Sequence, residues 1–268
     1  DNGQVVDPFG GIADLAARRL RHVSDAFADD VLRLYRLARF AAGLEFDIDD
    51  GTMSICRDLP KHELLALPRD RVRTEFLRAL AAQRPDRFVS VLRVCDQLDI
   101  HFEELAALAN VPAGPPQHHG EGDALIHTCM VLQEAAKLSE SVYVRFAALV
   151  HDLGKALTDV SLLPRHHGHE EAGVIPIEVF CARLGLGKDW RNAGVLASME
   201  HLNVHRFAER RNVNKVDMIL AADRTMLKTE GLADVCEADA LGRVPRGGVT
   251  GPALLRELAP VVRNAAIG

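Results

Sequence analysis

The chain has 268 residues, 48% apolar and 26% charged, with a formal charge of −6. That length supports one large domain or two small ones with a real core, and the charge excludes a global basic field, so any nucleic-acid contact must use a local patch. No apolar run approaches the roughly 18 residues of a membrane span, and five scattered cysteines without a C-x-x-C pair fit a reduced cytoplasm better than a disulfide or zinc framework.

The chain opens on Asp1, with a strand-like Gln4-Val5-Val6 running into Asp7-Pro8-Phe9-Gly10-Gly11. This reads as the edge of something longer. From there helical periodicity dominates. The stretch 26–44 (AFADDVLRLYRLARFAAGL) repeats apolar residues at three- and four-residue spacing after an Asp-rich start. Helices are likewise expected over 71–82, 88–98, 124–138, 142–157, 170–184 and 212–222, with a short one over 254–259 that stops before Pro260. Period-two runs of Val and Ile are almost absent. The expected fold class is all-α, a helical neck and body followed by a helical bundle. Asp47-Ile48-Asp49, the only D-x-D, follows one helix and precedes Thr52-Met53, so it reads as a helix cap. The Pro/Gly-rich stretch from Asn110 to Gly122 prevents a continuous helix. It is the expected linker (111–122) between a first region (1–110) and a second (123–268).

Nine of the twelve histidines lie between 118 and 205, with His127 in a helical stretch and His151-Asp152 inside the apolar run LVHDLGK. His166, His167 and His169 follow in RHHGHE, then His201 and His205 one helical turn apart, and Asp223 in ILAADRT. An unpaired carboxylate among Phe146, Leu149, Val150 and Leu153 would cost several kcal/mol, and neighbours on a helix point about 100° apart. A divalent ion between them removes that cost, provided other helices supply further donors. Lys155, near the same face, can hold a phosphate, and metal-assisted attack of water on phosphorus needs this combination. Spacing alone leaves open whether these are ligands or hydrogen-bonded core residues. His118 and His119 read as ordinary loop residues.

The pattern H…HD…H…H…D on a helical scaffold resembles the HD-domain metal-dependent phosphohydrolases. That resemblance implies His127, His151, Asp152 and Asp223 as core ligands of a divalent metal (Mg, Mn or Ni). It implies His169 and His201 as further ligands or phosphate contacts, with Lys155, Arg165 and His166 acting on the phosphoryl oxygens. More narrowly, DPFGGIADLAARRLRHVSDAFADDVLRLYRLARFAAGLEF, LPRDRVRTEFLRAL and LPRHHGHEEAG resemble the neck, body and HD segments of bacterial multifunctional CCA-adding tRNA nucleotidyltransferases. In that family a neck motif E-D-x-x-R reads the base of CTP or ATP. The matching residues are Asp29-Asp30-Val31-Leu32-Arg33, with Asp30, Arg33 and Arg36 as nucleotide contacts. Asp30 and Arg33, three apart, are expected to share one helix face.

The resemblance also implies tRNA and small nucleotide phosphates as partners, no membrane, a cytoplasmic location and room for a homodimer. The family's nucleotidyl-transfer domain precedes the neck, so nucleotidyl transfer is not expected from this chain alone. The implied activity is 2′,3′-cyclic phosphodiesterase, 2′-nucleotidase and phosphatase. A tRNA-binding module with an inactive HD site, or a stand-alone HD nucleotidase, are the alternatives.

Overall fold

The computed structural model describes residues 3 and 5–267, the last two by backbone only. Gln4 lies outside them, and Val5 and Val6 are exposed and unpaired with any strand. Among the described residues the chain is helical, apart from a parallel pair of two-residue strands, β1 (Arg19–Leu20) and β2 (Asp47–Ile48). It divides into two units, one up to Ile100 and one from His101. The Pro/Gly stretch 111–122 therefore belongs to the second unit.

The first unit holds α1 (Gly11–Ala16), α2 (Arg33–Leu44), α3 (Asp50–Arg57), α4 (Lys61–Leu65), α5 (Arg69–Leu80) and α6 (Asp86–Val94). Helix α2 buries Leu34, Tyr35, Leu37, Ala38, Ala41 and Ala42 against α5 and α6. Phe88 meets Tyr35 and Phe76 with ring centroids 6.4 and 6.1 Å apart. The helix expected from residue 26 starts only at Arg33. Residues Asp25–Asp29 form a 3-10 turn, and Asp30 is extended, its Oδ1 accepting from the Leu32 amide at 3.2 Å. A short polar side chain that bonds its own backbone competes with helix at that position. Asp49 caps α3, accepting from the amides of Gly51 and Thr52, as the D-x-D reading expects.

The second unit runs through α7 (Glu103–Ala106), α8 (Ala124–Leu138), α9 (Val142–Val150), α10 (His169–Ala172), α11 (Val174–Leu184), α12 (Lys188–His205), α13 (Asn212–Asp223), α14 (Lys228–Leu241) and α15 (Thr250–Ile267). Asp123 starts α8 by accepting from the Ile126 amide at 2.8 Å. Helix α9 is buried on every side from Val144 to Val150 and packs against α8, α12 and α14. Helix α14 was not expected from the sequence. It buries Leu232, Ala233, Val235, Cys236, Ala238 and Ala240 around most of its circumference, which erases the one-sided apolar stripe that marks a surface helix. Helix α15 runs on through Pro260 rather than stopping before it. Leu255, Ala259 and Val262, on either side of the proline, all pack into the core, and that shared face holds the helix across the missing N–H.

The feature that matters most for function is the end of α9. The helix expected over 142–157 stops at Val150, and His151 and Asp152 lie where the backbone tightens into a 3-10 turn, Leu153–Leu157. Gly154 lets that turn press on the neighbouring segment. A Cβ at this position would lie 2.0 Å from the His169 carbonyl oxygen and 2.6 Å from the Gly173 amide nitrogen, both backbone atoms. Gly154→Ala is therefore expected to destabilise the second unit by at least ~1–3 kcal/mol, the usual range for overpacking. Urea unfolding of the two proteins measures it.

Candidate metal centre

Five elements bring six donors together. His127 comes from the first turn of α8, His151 and Asp152 from the end of α9, His169 from the start of α10, His201 from α12 and Asp239 from α14. All six are buried. Asp152 is central. Its Oδ2 lies 3.2 Å from Nε2 of His151 and 3.5 Å from Nε2 of His127. Its Oδ1 lies 3.2 Å from Nε2 of His169 and 3.7 Å from Nε2 of His201. Asp239 Oδ1 completes the first cluster, 3.1 Å from Nε2 of His127 and 4.0 Å from that of His151. One carboxylate thus joins two donor groups, His127–His151–Asp152 and Asp152–His169–His201.

The imidazoles are oriented by their other nitrogen. Nδ1 of His151, His169 and His201 meets the main-chain carbonyls of Ala148 (2.8 Å), His166 (2.5 Å) and Ser198 (2.8 Å). A ring that donates from Nδ1 to a carbonyl carries its lone pair on Nε2, which in each case faces the cluster. Asp239 is oriented in the same way, its Oδ2 bonded to His205 Nε2 at 2.5 Å so that Oδ1 turns inward.

The cluster is electrostatically incomplete. Nε2 of His127, Nε2 of His151 and Oδ1 of Asp152 are buried without a hydrogen-bond partner, a costly arrangement for polar atoms. Burial would raise the Asp152 carboxyl, but His151 and Lys155 hold it well below the usual carboxylate range. Burial likewise opposes ionisation of Asp239, and His205 and His127 bring it down. Burial lowers His127, yet Asp239 and Glu121 outweigh it and raise its pKa. His201, buried and farther from a carboxylate, falls to about 3. Two ionised carboxylates among imidazoles form a field that attracts either protons or a cation. Mixed N and O donors of this kind fit a divalent metal, which would remove the unpaired atoms in one step.

A cavity of about 320 Å³ opens on this cluster, with Asp152, His169, His201 and Asp239 on its wall. Lys155 and Arg165 also line it. The Lys155 ammonium bonds Asp152 Oδ2 and the Ala113 carbonyl, both at 2.7 Å. His166 lines the cavity too, but both its nitrogens are engaged, Nε2 with the Pro112 carbonyl at 2.7 Å and Nδ1 with Thr158 Oγ1 at 2.8 Å. Through these two bonds it ties the 111–122 segment to the wall of the cavity. Arg206 and Arg243 add two cations to the wall that sequence reasoning missed. The Nε of Arg243 is buried and unpaired, 3.9 Å from Asp239 Oδ1.

Asp223, expected as the fourth core ligand, does not join the cluster. At the end of α13 it pairs with Arg263 at 2.6 and 2.8 Å and accepts from Thr229 Oγ1 at 2.8 Å. Asp239 takes the expected position instead. The available signal was an acid set within the small apolar residues of EADAL, a run too uniformly buried to read as a helix. Glu121 and His205, which sequence reasoning missed, lie outside the six donors and contact one each, His127 and Asp239.

In the first unit, Arg33 and Arg36 line a cavity of about 430 Å³ with Arg21, His22, Phe27 and Phe40. Asp30 does not. It precedes the helix instead of sharing a face with Arg33, and its Oδ2 lies 3.5 Å from Arg71. The Arg33 guanidinium donates to the Ala26 carbonyl.

Residues 124–243 match the HD domain family. Residues 45–108 match a family described as the probable RNA and SrmB-binding site of polymerase A. The fold is similar to those of several solved tRNA-processing and CCA-adding enzymes. A tRNA nucleotidyltransferase complexed with a primer tRNA and an incoming ATP analog is 15% identical, with a TM-score of 0.55 over 100% of this chain and 68% of that one. A CCA-adding enzyme with ATP is 14% identical, TM-score 0.57, over 97% of this chain and 53% of the other. A tRNA-processing enzyme complex gives 16% and 0.52 over 98% and 60%. The chain therefore spans between about half and two thirds of the length of these structures. No helix among the described residues is long and apolar enough to cross a membrane.

The two aspartates separate by experiment. Asp239→Asn is expected to weaken divalent-ion binding at least ~10-fold, measured by calorimetric titration, whereas Asp223→Asn leaves it unchanged. Asp223→Asn costs stability instead. The Arg263 hydrogen bonds lower the Asp223 pKa from 3.8 to about 2, although burial opposes them. A depressed carboxylate contributes above its unfolded value and loses that contribution as pH falls through its folded value. Discounted for partial exposure, the deficit of Asp223→Asn is about 1–2 kcal/mol at pH 7. In urea unfolding at a series of pH values it should shrink from about pH 4 towards pH 2.

Proposed function

We propose that the second unit is a metal-dependent phosphohydrolase acting on small nucleotide phosphates, within the body and HD portion of a CCA-adding tRNA nucleotidyltransferase. The observation that carries this reading is the Asp152 carboxylate, buried between two imidazole groups and left with an unpaired Oδ1 at the wall of a cationic cavity. His127, His151, Asp152 and Asp239 would hold a divalent ion (Mg, Mn or Ni), and His169 and His201 offer a further pair of donors sharing Asp152. Such an ion, when bound, lowers the pKa of water and offsets charge on phosphoryl oxygens.

The chain's own residues supply the remainder. In hydrolysis of a 2′,3′-cyclic phosphodiester, the oxygen of water bonds to phosphorus, one ribose P–O bond breaks, and the released oxygen takes up a proton. Lys155 and Arg165 line the cavity where the non-bridging oxygens would lie, and fixed cations there stabilise charge that grows towards the transition state. Arg206 and Arg243 extend that surface. The activities proposed are 2′,3′-cyclic phosphodiesterase, 2′-nucleotidase and phosphatase. The first unit is proposed to contact tRNA, with the Arg33 and Arg36 cavity serving CTP or ATP in a protein that also carries a transferase domain. Five free thiols are compatible with a reducing cytoplasm.

Purified protein with Mg²⁺, Mn²⁺ or Ni²⁺ is expected to open 2′,3′-cyclic AMP, with Asp152→Ala reducing kcat/KM by more than about 100-fold. Equal rates in the two proteins would sink the assignment.

A further inference from the structure

Glu121 lies outside the donor set, in the Pro/Gly segment expected to be a linker. Its side chain is only 1% exposed, so the carboxylate needs partners. It has three. Oε1 accepts from His119 Nδ1 at 2.7 Å and lies 3.0 Å from Nδ1 of His127. Oε2 accepts from the Val244 amide at 3.0 Å. His119 is itself wedged against the chain, since a Cβ on Gly114 would come within 2.4 Å of its ring. The carboxylate is thus clamped from two sides and directed at a third group.

That third group is the exception among the four imidazoles of the metal centre. His151, His169 and His201 each have a main-chain carbonyl on Nδ1. Nδ1 of His127 has no well-directed hydrogen-bond partner, and the oxygen beside it belongs to Glu121. A carboxylate is a stronger acceptor than a carbonyl and makes the opposite ring nitrogen a better donor.

We propose that Glu121 is the positioning residue for His127, holding the proton on Nδ1 so that the Nε2 lone pair is presented to the divalent ion. The proposal rests on the metal-centre reading above. It gives the 111–122 segment a part in the site, because the residue that sets the ligand's tautomer is anchored there and to Val244.

The test uses the full chain and Co²⁺ as probe. Glu121→Gln keeps the volume and removes the charge. It is expected to weaken Co²⁺ binding about 10–100-fold, the usual effect of losing an orienting partner, while the melting temperature of the metal-free protein stays within about 5 °C of wild type. Imidazole ¹⁵N spectra of the loaded wild-type protein should show His127 protonated at Nδ1, which also decides the matter if the variant fails to fold. Protonation at Nε2, or equal Co²⁺ affinity in a folded variant beside a wild type that binds, overturns the role of Glu121 alone. A wild type that takes up no divalent ion overturns the metal reading and this inference with it.

Discussion

The second unit is organised around one expensive arrangement, an ionised carboxylate buried among four imidazoles. Asp152 is 2% exposed, and in water-free surroundings its charge would be forced neutral unless compensated. His151 and Lys155 compensate part of it, while Nε2 of His127, Nε2 of His151 and Oδ1 of Asp152 stay without a hydrogen-bond partner. Packing follows from this. Helices α8, α9, α12 and α14 must approach closely enough to place their donors within a few ångströms, which explains the small residues where they meet. Ala147, Ala148, Ala193, Ala197, Ala233 and Ala238 fill that interface.

The pair His151-Asp152 lies where helix α9 ends. On a continuous α-helix the two side chains would diverge by about 100°, which suits ligands reaching around an ion only if the backbone is held in place. The 3-10 turn that follows, pressed through Gly154 against the His169 carbonyl, fixes both the end of α9 and the start of α10. Two side chains of the cluster from one element and a third from another are thus set by a single backbone contact. A long-range contact of this kind is invisible to periodicity.

Much of the design was nonetheless legible. The helical class, the span of α8 and the cap at Asp49 follow from spacing and caps, while the gathering of His127, His151 and Asp152 is implied by the resemblance to HD-domain phosphohydrolases and left open by spacing alone. The misses have separate causes. Asp239 sits on a helix too thoroughly buried to show a stripe, whereas Asp223, which the family pattern implies, lies at the end of a more readable helix. Asp30 was placed on a helix that local side-chain bonding delays until Arg33. Glu121 and His205 each contact one donor, His127 and Asp239, and no local pattern in the chain announces such a partner.

The 111–122 segment meets the site through its backbone at two points. His166 reads the Pro112 carbonyl and Lys155 the Ala113 carbonyl, and neither contact depends on which side chain those residues carry. A carbonyl is present whatever the residue type, so the segment can change composition at these points while its path through space stays fixed. Its length is the constrained quantity. Adding or deleting one residue there would shift two acceptors and the Glu121 carboxylate out of register together, and should be tolerated far less well than most substitutions in the same stretch.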